Sequence, residues 1–390
     1  MNISIDLAYK SLFKHGEELC GDMVQMVSSE DFKLLILTDG MGSGVRANIF
    51  ATMTSKILAT LIGKGLPIDE AVETLARTLP RSSVNGVAYC TFSVLQVFYS
   101  GEAYIVEYDN PQCVCVRNHA LLPLPFTERS VCGKVIRECR FRVQVGDAFL
   151  FMSDGAIYCS GDDIMNMAWD RNAVAQYTLR VENQTKSASR LACMVDDVCN
   201  DLYLGIPRDD TTIAVARIHE EKRVNILTGP PMNREKDEEI VNDFMQSEGV
   251  KIVSGGTTSE LAARVLKQEI HTDFSTLDGD IPPMSKIAGI DCVTEGVVTL
   301  RHVIRLLEIY ASGEFDSQFF EELDRNNGAS RIATFLIDDC TKVCFFVGTA
   351  ENMDAENLHL YFDLTEREGL VKRIIDILKK LDKDVNIYYY

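Results

Sequence analysis

The chain is 390 residues long, 46 % hydrophobic and strongly acidic, with a formal net charge of -19. That length suits two domains with packed cores, and the charge argues against a nucleic-acid backbone as main ligand, since binding that polyanion needs clustered Lys and Arg. It gives no support for anionic membranes either; with no signal-peptide layout at the N-terminus and no run near the roughly eighteen apolar residues of a membrane span, the expected location is the cytoplasm.

The first informative run is Leu34-Leu35-Ile36-Leu37, which ends in Thr38-Asp39-Gly40-Met41-Gly42-Ser43-Gly44. A strand there delivers one carboxylate to its tip, and the glycines let the backbone come close to whatever that carboxylate holds. Val45–Lys64 and Ile68–Thr78 then have helical spacing, with Pro67 suited to a helix start. Strand-like runs follow at Tyr89–Tyr99, Ala103–Tyr108, Cys113–Arg117, Val135–Val145 and Ala148–Ser153, separated by turns such as Ser100-Gly101, Asp109-Asn110-Pro111 and Gly146-Asp147. A helix is expected at Ser187–Asp201 and a strand at Thr211–Ile218. Consecutive strands with tight turns imply antiparallel sheets, and the flanking amphipathic helices imply a sandwich with helices outside.

His219-Glu220-Glu221-Lys222-Arg223 marks a boundary, giving domains 1–220 and 221–390. Beyond it, short apolar strands alternate with helices. Val224–Leu227 meets Gly229-Pro230-Pro231 and a helix at Glu235–Gln246; Lys251–Val253 meets Gly255-Gly256-Thr257-Thr258 and another helix. Ile287–Val293 meets Thr294-Glu295-Gly296 and a helix near Leu300–Tyr310. A helix at Ser330–Ile337 precedes a strand at Val343–Val347, and a last helix covers about Glu366–Leu381. This alternation indicates a mainly parallel, doubly wound α/β sheet. The overall class is therefore α+β, with a sandwich followed by a doubly wound domain.

The acids of the first part carry the chemistry. Asp22 ends Leu19-Cys20-Gly21-Asp22, Asp39 lies in the glycine-rich loop, and Asp154 lies in Phe151-Met152-Ser153-Asp154-Gly155. Asp209 and Asp210 open Asp209-Asp210-Thr211-Thr212. Any one of these reads as an ordinary turn residue. Together, several carboxylates at strand mouths repel one another unless a cation joins them, and hard oxygen ligands without neighbouring His or Cys point to Mg²⁺ or Mn²⁺. The 12 cysteines contain a CxC at Cys113 and Cys115 and a CxxxC at Cys340 and Cys344 but no CxxC pair, and they read as free, buried, reduced thiols.

Asp39-Gly40-Met41-Gly42-Ser43-Gly44, Ser153-Asp154-Gly155 and Asp209-Asp210-Thr211-Thr212, in that order, resemble the PPM family of metal-dependent protein phosphatases, in its bacterial branch typified by the stage II sporulation protein E phosphatase domain. The resemblance covers about residues 1–220. It implies an αββα sandwich around two Mn²⁺ or Mg²⁺ ions, in which Asp39 bridges the metals, the Gly40 carbonyl binds one, and Asp154 and Asp209 hold the second. Asp22 would orient water or bind a metal, and Asp210 competes with Asp209 as ligand. It further implies hydrolysis of phosphoserine or phosphothreonine in proteins by a hydroxide shared between the metals, with no covalent phosphoenzyme. His15 reads as an exposed loop residue; Arg46 and Arg208 stand beside the expected ligands and suit either a phosphate or the surface. A catalytically silent protein of the same fold, binding a phosphoprotein, is the alternative.

In the second part, Thr257 and Glu260 have capping-box spacing, while the strand-end residues Gly229, Pro230, Thr257, Thr258, Thr294 and Glu295 suit an effector. No GxGxxG or Walker A pattern occurs. Asp278-Gly279-Asp280-Ile281-Pro282-Pro283 reads as a lid or a rigid turn. Ala88-Tyr89-Cys90-Thr91-Phe92, Gly229-Pro230-Pro231, Gly255-Gly256-Thr257-Thr258 and Val293-Thr294-Glu295-Gly296 also resemble a two-domain group of sporulation-protein-E-like phosphatases of anaerobic bacteria associated with iron hydrogenases. The partners expected are a phosphorylated protein and a small-molecule effector on residues 221–390, with no nucleic acid and no membrane; a homodimer is left open.

Overall fold

The computed structural model describes residues 3–78, 90–131, 133–160, 169–338, 340–350 and 358–390. Ala88, Tyr89 and Cys132 lie outside them. The chain divides into two compact units, Met1–Glu220 and Glu221–Tyr390.

The first unit runs β1 (Ile3–Leu12), β2 (Asp22–Ser28), β3 (Phe32–Gly40), α1 (Gly44–Gly63), α2 (Ile68–Thr78), β4 (Cys90–Phe98), β5 (Glu102–Tyr108), β6 (Val114–Arg117), β7 (Ala120–Leu121), β8 (Thr127–Val131), β9 (Lys134–Arg142), β10 (Ala148–Met152), α3 (Gly155–Tyr158), α4 (Arg171–Val181), α5 (Ala188–Leu202) and β11 (Thr211–Glu220). Two antiparallel sheets result, ordered β1-β11-β10-β6-β7 and β2-β3-β4-β5-β9-β8. Strand alternation sorts their side chains into three apolar layers. Leu35, Leu37, Leu95 and Ile105 meet Ile5, Phe149, Phe151 and Ala214 between the sheets. On the outer face of the six-stranded sheet, Leu34, Ile36, Val94 and Val106 pack on Leu58, Ile62 and Val72 from α1 and α2. Leu150, Met152, Ile213 and Val215 pack on Leu191, Val195 and Cys199 of α5. This is the αββα sandwich.

Strands β1 and β2 escape the pattern reading, because β1 mixes polar and apolar residues and finds its partner, β11, some 200 positions away; Ile3 pairs with Glu220 and Leu12 with Thr211. The run expected at Val135–Val145 ends as a strand at Arg142. There Val143 N–H donates to the Gly101 carbonyl, and Gly146, at φ +95°, turns the chain.

The second unit runs β12 (Arg223–Thr228), α6 (Asp237–Gln246), β13 (Val250–Ser254), α7 (Gly256–Leu266), β14 (His271–Asp273), β15 (Met284–Lys286), β16 (Cys292–Thr294), α8 (Val297–Ser312), α9 (Ser317–Leu323), α10 (Gly328–Ile337), β17 (Lys342–Val347), α11 (Leu358–Lys380) and β18 (Asp384–Tyr389). Its sheet is ordered β14-β15-β16-β13-β12-β17-β18. The five strands from β16 to β18 are parallel, and β14 and β15 add an antiparallel edge. The unit is doubly wound α/β, with the strand order reversing between β12 and β17. Leu227, Val253, Val293 and Phe346 on one sheet face pack against Ile240, Val241 and Phe244 of α6 and Leu261 of α7. The 278–283 segment is a tight turn in which Asp278 and Ile281 exchange backbone hydrogen bonds of 3.3 and 3.0 Å.

Among the described residues no helix is long and apolar enough to cross a membrane. Every described cysteine is free and buried.

Candidate metal centre

Three loops meet at one end of the first sandwich. In the antiparallel pair β2–β3, Asp22 stands directly opposite Asp39. Gly40 N–H donates to the Gly21 carbonyl at 3.2 Å, which binds the two motifs together. Gly40 admits no side chain, because a Cβ there would lie 2.2 Å from the Ala47 carbonyl oxygen of α1. Gly44 is held at φ +68° with its Cα against the Glu17 carboxylate, and Ser43 Oγ donates to Glu17 Oε1 at 3.0 Å.

The other two motifs are zipped together. Ser153 N–H donates to the Thr212 carbonyl at 3.0 Å, and Thr212 N–H donates to Ser153 Oγ at 2.8 Å. A Cβ on Gly155 would meet the Asp210 carbonyl oxygen at 2.2 Å, and Tyr203 OH donates to the Gly155 carbonyl at 2.9 Å. Thr212 Oγ1 and Ser11 Oγ, 2.8 Å apart, tie the pair to β1. Ser11, Ser153, Tyr203 and Thr212 are positioning residues that the motif reading did not single out. Ser153 and Thr212 stand inside the motifs, beside Asp154 and Asp210, whereas Ser11 and Tyr203 carry no local signal, since their partners come from distant segments.

Asp22 and Asp210 are buried. Among the described residues, neither carboxylate oxygen of Asp22 has a hydrogen-bond partner and Asp210 Oδ2 has none; Asp210 Oδ1 accepts from Lys14 N–H at 3.0 Å. Burial, then the carboxylates of Asp22, Asp154 and Asp209, push the Asp39 carboxyl far above the usual range. Burial also raises Asp22; the nearby Ser153 and Thr212 hydroxyls oppose the shift, while Asp210 and Asp154 add to it. Asp209 is raised by burial and by Asp154, with Lys14 opposing at 3.9 Å. So Asp22, Asp39, Asp154, Asp209 and Asp210 all enter one field of negative charge. Asp209 is half-exposed, on the Asp39 side of that field; Asp210 is its buried neighbour, on the Asp22 side.

Two thiols border the cluster. Burial and the neighbouring carboxylates hold Cys20 well above its ordinary value and Cys90 at about 12, which disfavours the thiolate of each. His15, Arg46 and Arg208 are exposed, Arg46 lying over the Phe50 ring.

Orphaned carboxylate oxygens, mutual repulsion and an all-oxygen donor set fit hard divalent cations. Among the described residues, however, no three His, Cys, Asp or Glu side chains form a ready-made ligand set. A cation would have to draw the carboxylates inward.

Residues 30–219 match the family model of stage II sporulation protein E (SpoIIE). The first unit is a SpoIIE-type domain. The SpoIIE match begins after β2, so Asp22 lies outside the matched residues and joins them through its pairing with Asp39 and its nearness to Ser153, Thr212, Asp154 and Asp210. Among solved structures, the phosphatase domain and regulatory-domain fragment of SpoIIE from Bacillus subtilis aligns at 16 % identity and a TM-score of 0.49, over 56 % of this chain and 65 % of that one. The RsbU and RsbW domains of a Mycobacterium tuberculosis protein align at 18 % and 0.47, over 67 % and 70 %. The catalytic domain of the serine threonine protein phosphatase PstP, in complex with two manganese ions, aligns at 15 % and 0.39, over 56 % and 100 %. No curated protein matches the chain.

In the second unit the structure gathers most of the expected strand-end residues. Gly229, at φ +80°, donates its N–H to Thr258 Oγ1 at 2.8 Å, and Gly255 N–H donates to the Thr294 carbonyl at 2.8 Å. The Glu295 carboxylate lies beside Gly256. Pro230 is pressed against Gly348 at the end of β17. Thr257 is exposed on the first turn of α7.

Proposed function

We propose that the first unit is a Mg²⁺- or Mn²⁺-dependent phosphatase of phosphoserine or phosphothreonine in proteins. The observation that carries this is the Asp22–Asp39 pair with its orphaned oxygens, set in the common field of Asp154, Asp209 and Asp210. Asp39, the Gly40 carbonyl, Asp154 and Asp209 would hold two ions, and Asp22 would orient water; the ions would supply an acidified water and offset charge on the phosphoryl oxygens. The chain's own contribution is placement. The Ser153–Thr212 zipper aims Asp154 and Asp209 from the five-stranded sheet, while the Gly40–Ala47 contact anchors the Asp39 loop on α1. Exclusion of side-chain bulk at Gly40 and Gly155 brings these loops to van der Waals distance.

We assign residues 221–390 the role of a regulatory, ligand-binding unit in a cytoplasmic protein whose partner is a phosphoprotein; self-association into a homodimer is compatible with this. The test is Mn²⁺-supported hydrolysis of an aryl phosphate and of a phosphoseryl protein. Wild type should turn over, and Asp39→Asn and Asp154→Asn should be inert but folded; unchanged rates in both variants reject the site.

A silent binding protein is the second reading, favoured by the absence of a ready-made ligand set among the described residues. It predicts that wild type is inert with Mn²⁺ and still binds the phosphoprotein.

A further inference from the structure

We infer that the carboxyl edge of the second unit holds a binding site for a phosphate group, formed where the N-termini of α7 and α8 meet. The inference rests on the reading of this unit as ligand-binding and names the chemistry of the ligand.

Strands β13 and β16 lie side by side and in parallel, with Ser254 opposite Thr294. Each strand turns into a helix almost at once, through Gly255 into α7 and through Glu295-Gly296 into α8. The two N-cap glycines touch; a Cβ on Gly296 would lie 3.6 Å from Gly255 Cα. Two positive helix ends are thereby placed together. Neither helix has a side-chain cap, and neither has an acid in its first turn. Each such terminus carries roughly half a positive charge and a set of free N–H donors.

The residues that flank this junction carry buried hydroxyls. Val253 and Val293 face α6 and α7, so by strand alternation Ser254 and Thr294 face the opposite side. There the Thr294 side chain meets the start of α10, a Cβ on Gly328 falling 2.7 Å from its Cγ2. Among the described residues, Ser254 Oγ, Thr294 Oγ1 and, on the first turn of α8, Thr299 Oγ1 are all buried and without hydrogen-bond partners. Unpaired buried hydroxyls are destabilising, and three in the residues that flank one junction call for an explanation.

A carboxylate already stands beside this junction. Glu295 is exposed, and its Oε2 lies 3.1 Å from where a Cβ on Gly256 would be. It is the carboxylate with which a ligand at the start of α7 would compete. A tetrahedral phosphate offers three oxygens and can span both helix ends, which one carboxylate cannot. A dinucleotide does not fit this edge. The first strand–helix junction leads into Asp237, Glu238 and Glu239 of α6, which repel a pyrophosphate. At the strand-order reversal, a Cβ on Gly348 would lie 2.2 Å from the Pro230 carbonyl oxygen, so the backbones fill the crevice. The ligand is therefore free phosphate or a small phosphomonoester.

The test uses the full-length Asp39→Asn chain in chelating buffer, which disables the first unit's metal centre. Inorganic phosphate and glycerol phosphate are titrated by calorimetry and by thermal melting. Saturable binding is expected, weakened about tenfold by Val298→Asp and by Thr257→Asp, which place an acid on the first turn of α8 and of α7, and strengthened about threefold by Glu295→Gln. A first-turn acid favours the helix, so these chains should fold. Tighter binding of the ester identifies a phosphorylated metabolite, and equal binding identifies free phosphate. No saturation by either anion in the Glu295→Gln chain, or affinity unchanged in both acid variants, overturns the site. An inert wild-type enzyme would reject the phosphatase reading and leave this titration unaffected.

Discussion

The two units put their chemistry at strand ends and load those ends with opposite charge. At the end of the first sandwich, five aspartates share one pocket of negative field, with three orphaned carboxylate oxygens. At the carboxyl edge of the second sheet, two uncapped helix N-termini converge over unpaired hydroxyls. The first arrangement calls for cations and the second for an anion. Both leave polar groups unsatisfied that a structure selected for stability alone would pair or replace.

The contrast can be broken most decisively at Asp39. Asp39→Asn should lower Mn²⁺-supported kcat/KM by about 10³-fold, the scale for loss of a central electrostatic group, with circular dichroism unchanged. Mn²⁺ at about a hundred times its Kd should stabilise wild type by about 2.7 kcal/mol and leave Asp39→Asn unmoved, while phosphate in chelating buffer should stabilise both. If Mn²⁺ protects the two chains equally, it is bound elsewhere. Gly40→Ala forces a methyl onto the Ala47 carbonyl and should cost about 1–3 kcal/mol in urea unfolding together with activity; a loss of neither shows that the loop yields freely. Ser153→Ala orphans the Thr212 N–H, for about 1–3 kcal/mol or less. Its signature is a weakened Mn²⁺ requirement curve, with kcat at saturating Mn²⁺ largely kept.

The smallest effect is a pH dependence away from both sites. Burial raises Glu107 to about 7, against hydrogen bonding from Cys113 N–H and the Arg137 charge. The folded state therefore holds this proton more tightly than the unfolded chain. The associated stability is fully present below the ordinary value of 4.5 and is lost as pH rises through about 7. Glu107→Gln should flatten that loss in urea midpoints measured from pH 5 to 8; an unaltered slope assigns it to other groups.

The acids at the mouths of apolar runs were legible because the signal is local. Leu34–Leu37 is a buried strand whatever its neighbours, and Asp39-Gly40 follows as the turn chemistry demands. The helix at Val45–Lys64 and the strand–helix rhythm after Glu221 were legible for the same reason, since periodicity follows from which face is buried. Asp210 was harder. Two adjacent acids at a strand mouth are equivalent in sequence, and only the packing of Gly21 and Gly155 buries Asp210 while leaving Asp209 half-exposed.

By itself the sequence carried a sandwich with helices outside, the strand–helix rhythm of the second unit and the acids at strand mouths, because hydrophobic period and turn residues act over a few positions. Tertiary structure alone decided the pairing of Asp22 with Asp39, of Ser153 with Thr212 and of Ile3–Leu12 with Thr211–Glu220. It also decided that Gly255 and Gly296 meet. These contacts join segments 17 to more than 200 residues apart, and they form only where burial of the intervening core repays the entropy of closing such loops.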